Sequence, residues 1–489
     1  MPNLTEFYHF IDGEFRKGRS GETYPVYAPA TGKVYGRVHE ASREDVDAAV
    51  EAAKRALSGP WGDLSVPDRA DLISSLANEI NNRFDDFLEA EILDTGKPKS
   101  LAAHIDIPRG AANFKMFTDT IRTEAGELFE MATPDGAGAI NYSVRKPRGV
   151  IGVICPWNLP LLLMTWKVGP ALVCGNTVVV KPSEETPATA ALLGEVMNKV
   201  GIPKGVYNVV NGFGVGSAGE FLTQNQDVDG ITFTGETRTG EAIMRASAAG
   251  VRPVSLELGG KNPAIIFADA NLDKAVEGTM RSAFVNCGQV CLGTERIYVE
   301  QPVFDEFVAR LKAGVAALKI GGPNEAGVSL GPLISAAHKK KVLSYYDLAV
   351  QEGANVVIGG GVPAMTGDHK GGYFVEPTIW TGLGDDTRML REEIFGPCCA
   401  ILPFDDEDDV IRRANDTKYG LGAAVWTENL SRAHRVSRKL DVGLCWVNSW
   451  FLRDLRTPFG GAKGSGIGRE GGVHSLEFYT ELENICIKL

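Results

Sequence analysis

The chain has 489 residues, 44% of them hydrophobic and 23% charged, and a net charge of −12 at pH 7. This length suggests two to four domains of roughly 100–200 residues each, and the acidic balance excludes nucleic acid or an anionic membrane surface as the expected partner. It leaves room for an anionic small substrate, because salt screens charges lying beyond about 8 Å.

The opening MPNLTEFYHFIDGEF has neither a basic nor an apolar signal region. The most apolar stretch, near 150–180, is interrupted by Pro156, Pro160, Lys167, Pro170 and Asn176, whereas a membrane span needs about 20 apolar residues. A cytoplasmic protein is the expectation. The eight cysteines contain no Cys-x-x-Cys pair, so reduced, mostly buried thiols and no metal site are expected.

In chain order, 42–58 shows helical apolar spacing behind Ser42, and 66–94 and 100–122 also read as helices. Residues 138–146 alternate as a strand. From Gly149 the pattern becomes β-branched runs at 150–155, 177–181, 206–210, 230–234 and 254–258, with helices such as 187–199 and 237–248 between them. Strands alternating with helices predict a parallel, doubly wound α/β sheet, which binds nucleotides at the carboxyl ends of its strands. A second series (strands 263–267, 296–300 and 422–426, helix 302–318) predicts a second α/β domain. The stretch 480–489 reads as a strand which, like 138–146, lies outside both domains.

Several short motifs punctuate these elements. Gly214, Gly216 and Gly219 form G-x-G-x-x-G after a strand, with Glu236 seventeen residues further on. That pattern is either a phosphate grip or a glycine-rich turn. Lys181 and Glu184 end a strand where ligands bind. Glu184 can accept from two ribose hydroxyls and repel a 2′-phosphate, or the two are a solvated loop pair. Glu257-Leu-Gly-Gly-Lys261 offers a base beside glycines. Gly288-Gln-Val-Cys291 offers a thiolate in a turn, although a single cysteine is more often a core residue.

Taken together in order, Pro156-Trp-Asn-Leu-Pro160, Lys181-Pro-Ser-Glu184, Phe233-Thr-Gly235, Leu256-Glu-Leu-Gly-Gly-Lys261, Gly288-Gln-Val-Cys291 and Glu393-Ile-Phe-Gly-Pro397 resemble the aldehyde dehydrogenase superfamily over essentially the whole chain. His104-Ile-Asp-Ile-Pro-Arg109 and Asn448-Ser-Trp-Phe-Leu-Arg-Asp-Leu-Arg456 further resemble the bacterial 2-hydroxymuconate and 2-aminomuconate 6-semialdehyde dehydrogenases.

The resemblance implies an NAD-dependent oxidation of such a semialdehyde to the dicarboxylic acid through a Cys291 thiohemiacetal and thioester. Cys291 is then the nucleophile, Glu257 the base that activates water, and Asn158 with the Cys291 N–H the oxyanion hole. It implies NAD contacts at Trp157, Lys181, Ser183, Glu184, Gly235, Leu258, Glu393 and Phe395, and demotes Gly214–Gly219 to a structural turn. Glu236 stands where the family often has Ser, and its charge beside a pyrophosphate requires that it turn away or cap the next helix. Lys167 and Glu470 match a proton relay, or form a structural ion pair. Arg109 and Arg453 match the hold on the substrate carboxylate, a task that suits the planar guanidinium. The alternative is that they pair with Asp106 or Asp454, and for Arg456 the ion pair is preferred. Trp166, Trp450 and Phe451 flank the substrate or belong to the core. Cys287, His104 and the run His338–Lys341 are read as packing, structural and solvated residues.

The resulting domain expectation is an NAD-binding domain over 1–125 and 148–257, a catalytic domain over 258–477, and a small β oligomerisation extension over 126–147 and 478–489, giving a homodimer or homotetramer. Competing functions are a general aliphatic or betaine aldehyde dehydrogenase, which the arginine pair disfavours, and a non-catalytic structural relative, which intact Cys291, Glu257 and Asn158 disfavour.

Overall fold

The computed structural model describes residues 4–489. Five β-branched segments, Val150–Ile154, Thr177–Lys181, Tyr207–Val209, Gly230–Thr234 and Val254–Glu257, are buried almost throughout and pair in parallel. Antiparallel edge strands complete an eight-stranded sheet. Alternate side chains serve its two faces. Ile151, Val153, Val178 and Val180 pack with Leu76, Phe114 and Leu172, whereas Val150, Ile154 and Val179 pack with Val46, Val50 and Leu222.

Val150–Ile154 lies between Thr177–Lys181 and Gly230–Thr234. The strand order therefore reverses direction at this strand and opens a crevice at the carboxyl ends, as doubly wound sheets do.

A second sheet of seven strands runs Asn355–Ile358, Thr378–Thr381, Cys398–Phe404, Thr294–Glu300, Asn262–Ile266, Gly422–Trp426 and Leu444–Val447. All pairs are parallel except the first. The third unit is an antiparallel sheet of Leu128–Met131, Ala139–Pro147 and Thr480–Lys488.

Several expectations are corrected. The single helix over 66–94 is two, Val66–Asn82 and Phe84–Thr95, with a turn at Arg83 (φ −103°, ψ 29°) behind two asparagines, which are weak helix formers. The helix over 100–122 opens with a π-helical stretch, Ala102–Asp106, before Ile107–Arg122. Pro108 supplies the reason, because its ring conflicts with the carbonyl four residues back in a regular helix and the wider turn relieves it.

Gly466–Ile467 pairs with Val254–Glu257, and Leu476 and Tyr479 of the helix Gly472–Tyr479 join the core of the first sheet. The chain therefore rejoins the first sheet from Gly466. Among the described residues no helix is long and apolar enough to cross a membrane.

Candidate active site

A cleft of about 430 Å³ opens at the carboxyl ends of the first sheet. Its walls include Trp157 and Asn158 after one strand, Glu184 after the next, Gly235 after a third and Leu258 after a fourth. The second domain closes it with Cys291, Glu393 and Phe395. Lys181 and Ser183 lie behind the wall. Lys181 is buried and pairs with Glu184 at 3.2 Å, and the Ser183 hydroxyl accepts the Glu185 N–H at 3.3 Å.

Cys291 follows a tight loop. Asn286, Cys287 and Gly288 take φ of 52°, 56° and 70° in succession. A Cβ on Gly288 would sit 1.9 Å from the Gly396 carbonyl oxygen, so only glycine fits. Asn262 Nδ2 donates to the carbonyls of Cys291 (2.8 Å) and Gly293 (2.9 Å), and the Trp450 indole donates to that of Leu292 (3.0 Å). The loop is thus held by its carbonyls while the half-buried thiol faces the cleft. Burial, and then the carboxylates of Glu257 and Glu393, push this thiol up to about 12.

Asn158 Nδ2 donates one hydrogen to the Gln289 carbonyl at 3.1 Å, which leaves its second hydrogen free. The Asn158 backbone carbonyl accepts from Lys97 Nζ (2.9 Å) and Asn286 Nδ2 (3.1 Å). Lys97 is itself fully buried between Asp106 (2.8 Å) and Glu91 (3.4 Å).

Glu257 ends its strand 4% exposed, and neither carboxylate oxygen has a hydrogen-bond partner. Burial, and then the negative charge of Glu470, hold it well above the usual carboxylate range. A Cβ on Gly460 would lie 2.9 Å from Glu257 Oε1, so that glycine makes room for the carboxyl. Lys167 donates to Glu470 at 2.7 Å and to Thr232 at 3.0 Å. The two relay candidates are therefore paired with each other, and neither hydrogen-bonds Glu257.

Arg109 and Arg453 have no carboxylate partner among the described residues. Asp106 belongs to Lys97, and Asp454 pairs with Arg456 at 2.6 Å. Arg109 Nε and Arg453 Nε and Nη2 are buried without hydrogen bonds. The Arg453 guanidinium stacks 4.5 Å from the Trp166 ring and 4.2 Å from the Phe459 ring. Burial, and then the charge of Arg109, bring Arg453 down to about 10. Trp450 and Phe451 stack on each other at 5.1 Å beside Cys291 in one cluster.

Some features depart from expectation. Glu236 sits at the N-cap of Thr237–Ala248 but makes no side-chain cap bond, and its carboxylate pairs with Arg238 at 3.0 Å. The run 338–341 is not simply a solvated face, because His338 and Lys341 both line the cleft. His338 packs 5.3 Å from the Trp157 ring, and its Nε2 meets the Phe395 carbonyl at 2.8 Å. Burial lowers it to about 4, so the ring is neutral at pH 7 and Nε2 donates. Glu185 and Arg238 also line the cleft. Glu185, visible beside Glu184 at a strand end, could have been found from the sequence, but His338 carried no signal beyond the Ser335 cap three residues before it. Gly214–Gly219 is absent from the cleft wall. There Glu220 accepts the Gly216 N–H at 2.7 Å, as a turn would.

Comparison with known proteins shows the family and the fold. The sequence profile of the aldehyde dehydrogenase family matches residues 15–485. A 2-hydroxymuconic semialdehyde dehydrogenase of Pseudomonas sp. (strain CF600) is 68% identical over 99% of this chain and 100% of its own. A 2-aminomuconic 6-semialdehyde dehydrogenase of Pseudomonas sp. is 58% identical over 99% of each chain. Among solved structures, the NAD+ complex of an aldehyde dehydrogenase from Bacillus cereus superposes with a TM-score of 0.95 at 40% identity, covering 99% of this chain and 97% of that one.

Proposed function

The chain belongs to the aldehyde dehydrogenase family, and from that premise we propose that it oxidises 2-hydroxymuconate or 2-aminomuconate 6-semialdehyde to the dicarboxylic acid with NAD. The observation that carries the substrate class is the pair Arg109 and Arg453, two half-buried guanidiniums without a carboxylate partner, whose Nε groups and the Arg453 Nη2 are buried without hydrogen bonds. Such groups are costly to bury unpaired and suit bidentate capture of the substrate's distant carboxylate. A quaternary ammonium substrate would be repelled there, which disfavours a betaine aldehyde.

The cleft fits the dinucleotide. Glu184 and Glu393 offer carboxylate acceptors for two ribose diols, and Gly259 leaves the space beside Glu393, since a Cβ there would meet its Oε2 at 2.3 Å. Trp157, Gly235, Leu258 and Phe395 line the path between them, with Lys181 and Ser183 supporting the Glu184 end. When bound there, NAD would supply the hydride acceptor.

Cys291 Sγ bonds to the aldehyde carbon as its thiol proton passes to the Glu257 carboxylate, and the carbonyl π pair moves to oxygen. The free Asn158 amide hydrogen and the Cys291 N–H stabilise that oxyanion. Loss of hydride from the same carbon leaves a thioester on Cys291. Glu257 then takes a proton from water, the hydroxide adds to the thioester carbon, and collapse expels the Cys291 thiolate with the acid. Glu257 lies close enough to the thiol for its charge to raise it, so it must give up the thiol proton before it serves as the base for water. Lys167 and Glu470 serve as the neighbouring pair through which its proton leaves. Small molecules and further copies of this chain are the proposed partners, as a homodimer or homotetramer in the cytoplasm.

The test is NADH formation from the muconic semialdehyde and from an uncharged aldehyde of similar length, in wild type and Arg453→Ala. The variant is expected to raise KM for the muconic substrate by about ten- to hundredfold, the loss of a charge-assisted contact, and to leave the uncharged aldehyde unaffected. Equal turnover of both substrates by wild type would remove the substrate assignment and leave the family membership intact.

A further inference from the structure

Glu393 and Phe395 reach the cleft on a turn that does not hold its own shape. Phe395 has φ 64°, a left-handed conformation uncommon for a bulky side chain. The turn also presses on the nucleophile loop, where the Gly396 carbonyl occupies the space a Gly288 side chain would need.

Its backbone is gripped from behind. Glu295, 8% exposed on the strand Thr294–Glu300, accepts the Phe395 N–H at 2.9 Å through Oε1 and the Ile394 N–H at 3.1 Å through both oxygens. Its Oε2 is paired with the ammonium of Lys261, which is 1% exposed. Lys261 ends the Glu257-Leu-Gly-Gly-Lys segment, and no step of the proposed chemistry uses it. From the opposite side His338 donates to the Phe395 carbonyl at 2.8 Å. Glu393 itself is left with one tether, accepting the Gly260 N–H at 2.8 Å.

We infer that Glu295, neutralised by Lys261, is a positioning residue that holds the 393–395 turn so that Glu393 can grip the ribose next to the nicotinamide. The inference rests on the assignment of Glu393 to that ribose. A carboxylate suits this work because it accepts two adjacent N–H groups and still has a lone pair for a cation. Removing Glu295 alone would strand a buried ammonium, so the informative variants remove both charges.

The experiment compares Lys261→Met/Glu295→Gln with Lys261→Met/Glu295→Ala by equilibrium binding of NAD and of AMP, without turnover. Both are neutral at the pair, but only the first keeps an oxygen for the two N–H groups. The Gln variant is expected to bind NAD as wild type does. The Ala variant is expected to raise the NAD Kd about tenfold, as for one lost charge-assisted hydrogen bond, with AMP affinity unchanged because AMP stops short of the second ribose. Equal NAD affinity of the two variants, or a parallel loss of AMP in the Ala variant, overturns the inference. Glu393→Gln is the control. If it leaves NAD affinity unchanged, the ribose assignment itself fails. If it weakens NAD while the two double variants bind alike, only the role of Glu295 fails.

Discussion

Two carboxyls in the cleft titrate near neutrality, one at each end. Glu393 is lifted to about 7 by burial and then by Glu295, and Glu185 to about 7 by burial and then by Glu184. Both raised values mean that the carboxylate form prevails above pH 7 and is lost below it. A ribose diol donates to a carboxylate more strongly than to a carboxylic acid. Each of the two is therefore expected to lower NAD affinity by up to about tenfold from pH 8 to pH 6, which is the change in the ionised fraction of one such group. AMP binding separates the two ends. Once the AMP phosphate's own ionisation at about pH 6 is allowed for, its pH dependence reports the Glu185 end, and the remaining dependence of NAD reports Glu393 and should vanish in Glu393→Gln. A flat ratio of NAD to AMP affinity in wild type would show that Glu393 does not titrate in this range. Neither effect is readable from sequence. The motif places Glu393, but its burial and its neighbour Glu295 come from a strand a hundred residues away.

The loop that carries Asn158 depends on elements far from it in the chain. Lys97 lies just after the helix Phe84–Thr95, Glu91 lies within that helix, and Asp106 lies in the π-helical stretch. Together they pin the Asn158 carbonyl, and Glu91 also accepts the Leu161 N–H at 3.3 Å. Burial raises Asp106, and it raises Glu91 to about 7, so two carboxyls share one cation. Lys97→Met strands both and is expected to cost about 3–5 kcal/mol in urea unfolding, whereas Asp106→Asn leaves Lys97 paired with Glu91 and should cost less. Equal losses would mean that the cluster does not work as a charge balance. The elements involved show what periodicity can reveal. The buried runs at 150–155, 177–181 and 230–234 are legible because both faces of a parallel strand are apolar. The π-helical stretch is not, because widening one turn barely alters the apolar spacing. Three-residue strands such as Thr5–Phe7 and His9–Ile11 are too short to show alternation, and Pro403 disguises Cys398–Phe404.

At the scale of the whole molecule, the third sheet is unfinished. Cross-strand register places Leu128, Tyr142 and Ile485 on one face, together with Ile140 and Ile487. Leu128 is 60% and Ile487 48% exposed. Both outer strands, Leu128–Met131 and Thr480–Lys488, present open edges. A small sheet with an apolar face and two free edges invites pairing with another sheet. Because it stands apart from both large cores, closing it against a second copy would not disturb the cleft. Deleting residues 480–489 is expected to lower the mass measured by light scattering, and Ile485→Lys, which keeps the strand but charges the face, should do the same. If the deletion lowers the mass and Ile485→Lys does not, the contact runs along the strand edge and not across the face. An unchanged mass in both would remove this sheet as the interface.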